Sequence, residues 1–140
     1  MKCIFLDRDG VINQDYVDYA YTLERFIILD GVIEGLKKLK EAGYKLIVVT
    51  NQSGIAKGIY SREDMQTCHK YLQEQCGGII DKFYYAPHHP SVTQSLTRKP
   101  DSLMFEKGIA KFKTDVQSSW MLGDKGRDLD PAKKLGLRTI

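Results

Sequence analysis

Short apolar runs alternate with amphipathic segments along the whole chain, and this alternation limits the fold more than any other feature. The first run is Cys3–Leu6, and the second, KLIVVT, ends at Thr50. Between them, GVIEGLKKLKEAG carries apolar residues at helical spacing and closes on Gly43. The same order continues to a last run, LRTI. The pattern favours one α/β domain over residues 1–140, with a mainly parallel sheet and helices on both faces.

The second half of the chain repeats the pattern. A helix is expected in SREDMQTCHKYLQEQCGG, where Ser61 and Asp64 resemble a capping box and a glycine pair ends the segment. Two more helices are expected in LMFEKGIAKF and in DPAKKLG, the latter with Pro131 near its start. The runs IIDKFYYA and SSWMLG complete the predicted strands.

Composition points to an ordinary globular protein of the cytoplasm. The chain is 42% hydrophobic and 28% charged, and its three cysteines are too few and too scattered for a disulfide framework. No apolar run approaches the roughly 18 residues of a membrane span. Met1 and Lys2 lead directly into the first strand, without the pattern of a signal peptide. We expect a monomer or weak oligomer that binds no membrane.

The net charge of +3 is mild, and most basic residues lie on predicted helix faces that water would solvate. Nucleic acid is therefore not an expected partner. A small phosphorylated metabolite would suit the charge.

Polar side chains collect where the predicted strands end. Asp7 and Asp9 follow the first strand, Thr50 and Asn51 end the second, and Asp124 follows the fourth. The long segment after the third strand holds four basic or titratable residues: His88, His89, Arg98 and Lys99. Ligands of such sheets bind at the carboxyl ends of the strands, so we expect these groups to form one site.

Three acids beside hydroxyl, amide and basic groups suit a hard cation next to a phosphate. Mg²⁺ prefers oxygen ligands and accepts one or two carboxylates together with a phosphate oxygen. Thr50 and Lys99 could hold the phosphoryl oxygens. One carboxylate can attack phosphorus, and a second acid two residues later can protonate the leaving alcohol. Asp7 and Asp9 would then have separate roles.

Four segments carry a resemblance to a known family. FLDRDGVIN, VVTNQSGIAKG, RKP and MLGDKGRDL occur in the order of the four motifs of haloacid-dehalogenase-type (HAD) phosphatases. With YYAPHHP, they resemble more narrowly the D-glycero-D-manno-heptose-1,7-bisphosphate phosphatases and the related histidinol-phosphate phosphatases. The resemblance covers nearly the whole chain and implies a Rossmann-like HAD fold.

The resemblance also implies roles for individual residues. Asp7 would be the nucleophile, and Asp9 the general acid that later activates water. Mg²⁺ would be bound by the Asp7 carboxylate, the Asp9 main-chain carbonyl and Asp124. Thr50 and Lys99 would stabilise the phosphoryl group, while Asp128 would orient its neighbours. The implied substrate contacts are Asn51, Arg98, Lys125, Asp15 and Tyr16.

The sequence departs from the zinc-bearing members of this family after the third strand. Those members read Cys-Pro-His-His-Pro, then Cys-x-Cys before Arg-Lys-Pro. Here Ala86, Ser95 and Thr97 stand at the three cysteine positions, and only His88 remains of the four ligands. A structural zinc needs four thiolate or imidazole ligands. We therefore expect no zinc, and a loop over residues 86–97 that is either ordered by other contacts or more mobile.

The spacing of the motifs leaves no room for a cap domain. One helix and one strand fill most of the stretch from Asp7 to Thr50, and a helix, a strand and a loop fill that from Thr50 to Lys99. We expect an open site. The resemblance implies heptose 1,7-bisphosphate, a precursor of lipopolysaccharide, as the preferred substrate. Histidinol phosphate, a 3′-phosphorylated DNA end and a catalytically weak binding module remain as alternatives.

Overall fold

The alternating strands and helices build a single parallel sheet. The computed structural model describes residues 1–87 and 98–140. Its five strands lie in the order β3-β2-β1-β4-β5, and every pairing is parallel. The strands are β1 (Cys3–Leu6), β2 (Lys45–Asn51), β3 (Lys82–Ala86), β4 (Trp120–Leu122) and β5 (Arg138–Thr139). The helices are α1 (Val32–Glu41), α2 (Arg62–Cys76), α3 (Leu103–Phe112) and α4 (Gly126–Lys134), with a short 3-10 turn at Val116–Ser118.

Helices cover both faces of the sheet, as the sequence predicts. Successive residues of β1 point to opposite faces, so Ile4 and Leu6 join one core cluster while Cys3 and Phe5 join the other. The first cluster contains residues of α1 and α2, and the second contains residues of α3 and α4. Burial on both faces explains why β1 and the centre of β2 are continuous apolar runs.

Local signals place most helix ends correctly. Asp64 N–H donates to Ser61 Oγ and the Asp64 carboxylate accepts from Ser61 N–H, which completes the predicted capping box of α2. Gly77 ends this helix in a left-handed conformation. The fourth helix begins at Gly126, four residues before the predicted start, so Pro131 lies inside it. Asp128 closes its first turn by accepting from Lys125 N–H.

The third strand begins later than predicted. The N–H of Ile80 donates to Gln73 Oε1, and the Asp81 carboxylate accepts from Leu46 N–H at 2.8 Å. Side chains thus satisfy backbone groups that a longer strand would pair, and regular pairing starts at Lys82.

Within residues 1–87 and 98–140, no helix or strand lies outside the sheet and the helices around it, in agreement with the predicted absence of a cap. In the same ranges, no helix has the length and apolar character needed to cross a bilayer.

Candidate active site

A cavity of about 420 Å³ opens at the carboxyl end of the sheet, near the point where the strand order reverses at β1. The loop after β1 and the turns after β2 and β4 supply most of its wall. It is lined by Asp7, Asp9, Asp15, Tyr16, Val17, Tyr19, Asn51, Ser53, Arg98, Lys99, Lys125, Arg127 and Asp128. The sequence-predicted convergence of strand ends is therefore present.

A buried lysine joins two of the acids. Lys99 Nζ donates to Asp7 Oδ1 at 2.8 Å, to Asp128 Oδ1 and to the carbonyl of Val49 at 3.1 Å. Only 1% of the Lys99 side chain is exposed, so these interactions act with little screening by water. All three ammonium protons have acceptors, and Lys99 is held between two strand ends and α4.

Asn51 fixes the backbone of Lys99. Its Oδ1 accepts from Lys99 N–H at 3.0 Å, and its Nδ2 donates to the Lys99 carbonyl at 3.2 Å. This pair of hydrogen bonds ties the segment after residue 97 to the end of β2. Residues 88–97 of the expected zinc-free loop, including His88 and His89, lie outside the described residues, but the hydrogen bonds from Asn51 anchor Lys99 without them.

Asp9 sits in a second network. Its Oδ1 accepts from Arg8 Nε at 3.0 Å, from Arg8 Nη2 at 2.8 Å and from Asn13 Nδ2 at 2.9 Å. Its Oδ2 accepts from Gln52 Nε2 at 3.2 Å. Arg8 is buried, and its guanidinium lies over the Phe26 ring at 5.3 Å. The carboxylate neutralises a cation that would be costly to bury alone.

Three carboxylates form a candidate cation site. One oxygen each from Asp7, Asp124 and Asp128 lie within 4.8 Å of one another. With Lys99 between two of these acids, the cluster keeps two negative charges when fully ionised, which a divalent cation would balance. The turn after β1 also crowds Asp124, because a Cβ on Gly10 would come within 2.9 Å of Asp124 Cγ. Carboxylate oxygens in this arrangement fit Mg²⁺.

Burial and Lys99 act in opposite directions on the two acids. Burial raises the pKa of Asp7 to about 7, even though the Lys99 ammonium favours the ionised form. Burial also opposes ionisation of Asp128, but there the charge and hydrogen bond of Lys99 prevail and its pKa is lowered. Of the two acids that contact Lys99, Asp128 is therefore more firmly ionised than Asp7.

The mouth of the cavity is lined by the other predicted substrate contacts. Lys125 Nζ and Asp15 Oδ2 lie 3.3 Å apart, both largely exposed, and this pair bridges the mouth. The Tyr16 ring lies under the Arg25 guanidinium at 5.4 Å. Arg98 is half-buried in the wall of the cavity. Burial lowers the pKa of Arg98, and the nearby charge of Arg127 lowers it further.

Thr50 and Asp124 are the predicted site residues that do not line the cavity. Thr50 is 1% exposed, and its hydroxyl accepts from Gln52 Nε2 at 2.9 Å. Asp124 is exposed and belongs to the carboxylate cluster. The structure brings the other predicted residues together at the cavity.

Sequence reasoning missed Tyr19, Ser53 and Arg127. Tyr19 adopts a φ of 73°, rare for a residue with a side chain, and its hydroxyl lies 3.3 Å from Ser53 Oγ. No local pattern predicts that conformation. Ser53 could have been found, since it lies inside the TNQSGIAKG motif, and Arg127 sits in the turn that follows Asp124.

Comparison with known proteins places this site in a family. A family model described as haloacid dehalogenase-like hydrolase matches residues 10–140. The chain belongs to the haloacid dehalogenase-like hydrolase family. This HAD membership confirms the predicted fold and the predicted family.

Relatives in the family carry phosphatase names. The chain is 38% identical to the D-glycero-beta-D-manno-heptose-1,7-bisphosphate 7-phosphatase of Haemophilus ducreyi, over 99% of the chain and 80% of that protein. It is 37% identical to the D-glycero-alpha-D-manno-heptose-1,7-bisphosphate 7-phosphatase of Photorhabdus laumondii, over 98% of the chain and 79% of that protein. The chain is accordingly a hydrolase of the phosphomonoesterase class.

A solved structure agrees with these relatives. The D,D-heptose 1,7-bisphosphate phosphatase of B. bronchiseptica, complexed with magnesium and phosphate, superposes with a TM-score of 0.93 at 31% identity. The match covers 99% of the chain and 79% of that protein.

Proposed function

We propose that this HAD hydrolase is a Mg²⁺-dependent phosphatase that removes the 7-phosphate of D-glycero-D-manno-heptose 1,7-bisphosphate through an aspartyl-phosphate on Asp7. The observation that carries the proposal is the contact between Asp7 and Lys99 at 2.8 Å, within a cluster of three carboxylates at the strand ends. Relatives named as heptose bisphosphate phosphatases, which the match covers over about four-fifths of their length, support the substrate.

The chemistry divides into two displacements. In the first, a carboxylate oxygen of Asp7 attacks phosphorus, the bond from phosphorus to the sugar oxygen breaks, and Asp9 gives its proton to that oxygen. In the second, Asp9 takes a proton from water, the water oxygen attacks phosphorus, and the Asp7 carboxylate is released with inorganic phosphate. Asp9 returns to its protonated form, so the cycle closes.

Lys99 and the metal ligands prepare Asp7 for attack. Mg²⁺ held by Asp7, Asp124 and the Asp9 carbonyl would neutralise charge on the phosphoryl oxygens. Lys99 supplies a fixed positive charge beside Asp7 and would contact the same oxygens. Asp128 holds the lysine in place. Thr50 could add a hydroxyl donor only if its proton turned from the Asn51 carbonyl to the phosphoryl group, while its oxygen continued to accept from Gln52.

The open cavity suits a substrate with a second charged group. Arg98, Lys125 and Arg127 line the cavity outside the carboxylate cluster, and Asp15 and Tyr16 lie at the same mouth. These cations would hold the part of the substrate that does not react, together with Asn51. Relatives of nearly equal identity act on the α and on the β anomer according to their names, so both anomers belong in the test.

The test measures phosphate release with Mg²⁺ and without added zinc. The substrates are both anomers of heptose 1,7-bisphosphate, histidinol phosphate and a 3′-phosphorylated oligonucleotide. We expect preferential turnover of a heptose bisphosphate, abolished in Asp7→Asn and kept in the exposed control Asp30→Asn.

Each other outcome changes the conclusion. Preferential turnover of histidinol phosphate or the oligonucleotide would keep the mechanism and replace the substrate. Absence of turnover in a folded sample that binds Mg²⁺ would favour the binding module.

The proposal includes the absence of a structural zinc. Ala86 ends β3 as a buried residue and offers no ligand atom, and Ser95 and Thr97 offer hydroxyls where the zinc-bearing proteins have thiolates. Elemental analysis of the purified protein should find zinc well below one ion per chain. A stoichiometric zinc that survives dialysis would refute this part of the proposal.

A cytoplasmic location is also proposed. Cys3, Cys68 and Cys76 are all buried free thiols, which is typical of proteins kept in a reducing compartment. Fractionation of cells that produce the protein would test the location directly.

A further inference from the structure

The two oxygens of the Asp9 carboxylate have different surroundings. Oδ1 accepts three hydrogen bonds, two from Arg8 and one from Asn13, at 2.8 to 3.0 Å. A carboxylate oxygen has about two lone-pair sites, so Oδ1 has no capacity left for a proton. Among residues 1–87 and 98–140, Oδ2 accepts one hydrogen bond, from Gln52 Nε2 at 3.2 Å, which leaves one of its lone-pair sites for a proton.

The orientation of the Gln52 amide follows from its neighbours. Thr50 Oγ1 donates to the Asn51 carbonyl, and an ionised Asp9 can only accept, so both face the amide nitrogen of Gln52. On the other side, Tyr60 Oη donates to Gln52 Oε1 at 2.6 Å. All polar atoms of this buried amide have partners, which leaves it a single orientation.

Tyr60 is itself held by packing. Its ring stacks on Tyr21 at 5.1 Å with an interplanar angle of 6°. Gly54 gives the ring its space, because a Cβ there would approach Tyr60 Cδ1 to 2.8 Å. A chain of contacts thus runs from the aromatic pair through Gln52 to Asp9.

We propose that Gln52, oriented by Tyr60, is a positioning residue that turns Oδ2 of Asp9 toward the cavity, and that Oδ2 is the atom that carries the transferred proton. In the first step Oδ2–H gives its proton to the leaving sugar oxygen as the bond from that oxygen to phosphorus breaks and the bond from Asp7 to phosphorus forms. The second lone pair of Oδ2 keeps accepting from Gln52 throughout. This inference rests on the proposed function.

Leaving groups of different basicity provide the test. A sugar alkoxide needs the proton from Asp9, whereas p-nitrophenolate is a weak base and leaves without it. The quantity kcat/KM includes only the steps up to departure of the leaving group, so the later hydrolysis of phospho-Asp7 does not affect it. The variants are Gln52→Met, which keeps the length of the side chain, and Tyr60→Phe, which removes one hydroxyl.

We expect Gln52→Met to lower kcat/KM for heptose 1,7-bisphosphate by about 100-fold, the order of magnitude that a misplaced catalytic group costs. For p-nitrophenyl phosphate, we expect the same variant to lower kcat/KM by less than about threefold. Tyr60→Phe should lower kcat/KM for heptose 1,7-bisphosphate by up to about 10-fold, because the hydrogen bond it removes acts on Asp9 only through Gln52. Matched controls are the exposed Gln66→Met and Tyr71→Phe on α2, away from the cavity, which should leave kcat/KM for both substrates unchanged.

The outcomes separate this inference from the function itself. Equal losses on both substrates would mean that Gln52 acts through the general structure of the site, and would overturn the inference while the function stands. A folded Tyr60→Phe variant with full activity on both substrates would remove Tyr60 from the proposal. A wild-type protein inactive on both phosphates would overturn the proposed function, and the inference with it.

Discussion

At the scale of single residues, Lys99 is the side chain on which the site is organised. Its ammonium contacts two carboxylates and one carbonyl while almost completely buried. A buried ammonium group is stable only when each of its donors has a partner. Asn51 adds two hydrogen bonds to the backbone of Lys99, which hold the residue in position. The four-residue spacing from Asp124 to Asp128 brings one acid to the lysine and leaves the other exposed.

Gly10→Ala should weaken Mg²⁺ binding. The new Cβ would collide with the Asp124 carboxylate, a candidate ligand, and the φ of 89° would add strain of about 1 to 2 kcal/mol. Gly43→Ala is the matched control, since its φ of 90° imposes the same strain with no atom nearer than 4.0 Å. Calorimetric titration with Mg²⁺ should show a loss of affinity in Gly10→Ala alone, and equal affinities would exclude Asp124 as a ligand.

His69 should make stability depend on pH. Burial, with help from the Arg8 charge, lowers its pKa to about 3, and the ring stacks on Phe83 at 4.4 Å. The unfolded chain binds a proton below about pH 6.5, whereas the folded protein does not until about pH 3. The free energy of unfolding therefore decreases as the pH falls from about 6.5 toward 3.

The measurement compares wild type with His69→Gln, which keeps an acceptor for Arg8 Nη1 but does not titrate. Between pH 7.5 and pH 5, the free energy of unfolding should fall by roughly 2 kcal/mol more in wild type than in the variant, as linkage predicts for one such proton. Parallel curves in urea denaturation would show that His69 is protonated in the folded state.

At the scale of secondary-structure elements, α3 approaches the sheet closely because Gly108 faces β1. A Cβ at Gly108 would lie 2.7 Å from Phe5 Cε1 and 3.6 Å from Ile47 Cδ1. Phe5 in turn packs against Phe105 one helical turn earlier, with ring centroids 5.7 Å apart. The glycine lowers helix propensity in α3 but allows the aromatic pair to fill the space between helix and sheet.

Gly108→Ala should therefore destabilise the protein by about 1 to 3 kcal/mol, the usual cost of an overpacked core. Gly35→Ala in α1 is the matched control, because no atom lies within 4 Å of its added Cβ. It should stabilise by about 0.5 to 1 kcal/mol through helix propensity. Thermal unfolding of the two variants should shift in opposite directions, and stabilisation by both would mean that α3 can move away from β1 at little cost.

At the scale of the whole molecule, the cation site exists only in the folded chain. Its three carboxylates come from the end of β1, the turn after β4 and the first turn of α4. Asp7 precedes the other two acids by more than a hundred residues, so an unfolded chain cannot present all three together. Binding of Mg²⁺ should consequently be coupled to folding.

Saturating Mg²⁺ should raise the free energy of unfolding by about 2.7 kcal/mol at a concentration 100 times its dissociation constant. The same Mg²⁺ should have a much smaller effect on Asp124→Asn, whose exposed carboxylate can be replaced without disturbing the core. Denaturation curves with and without Mg²⁺ test this, with the exposed Asp30→Asn as a control that should respond like wild type. An equal effect on all three proteins would place the cation elsewhere.

The sequence by itself determined the order of strands and helices, the parallel sheet and the strand ends at which the acids collect. It could do so because these depend on local properties: apolar runs buried on both faces, helical spacing, and caps such as Ser61 and Gly77. The motifs also indicated the family, and the comparisons confirm it. The late start of β3 and the early start of α4 were missed because they depend on side-chain contacts of Gln73, Asp81 and Asp128.

Only the tertiary structure decided how the site residues are connected. That Asn51 binds the backbone of Lys99, that Asp128 holds its ammonium and that Gln52 reaches Asp9 are contacts between residues 29 to 48 positions apart. The left-handed Tyr19 and the close approach of Gly10 to Asp124 are likewise outcomes of packing. Local pattern carries no information about such contacts, because their geometry is set when strand ends, loop and helix come together around the sheet.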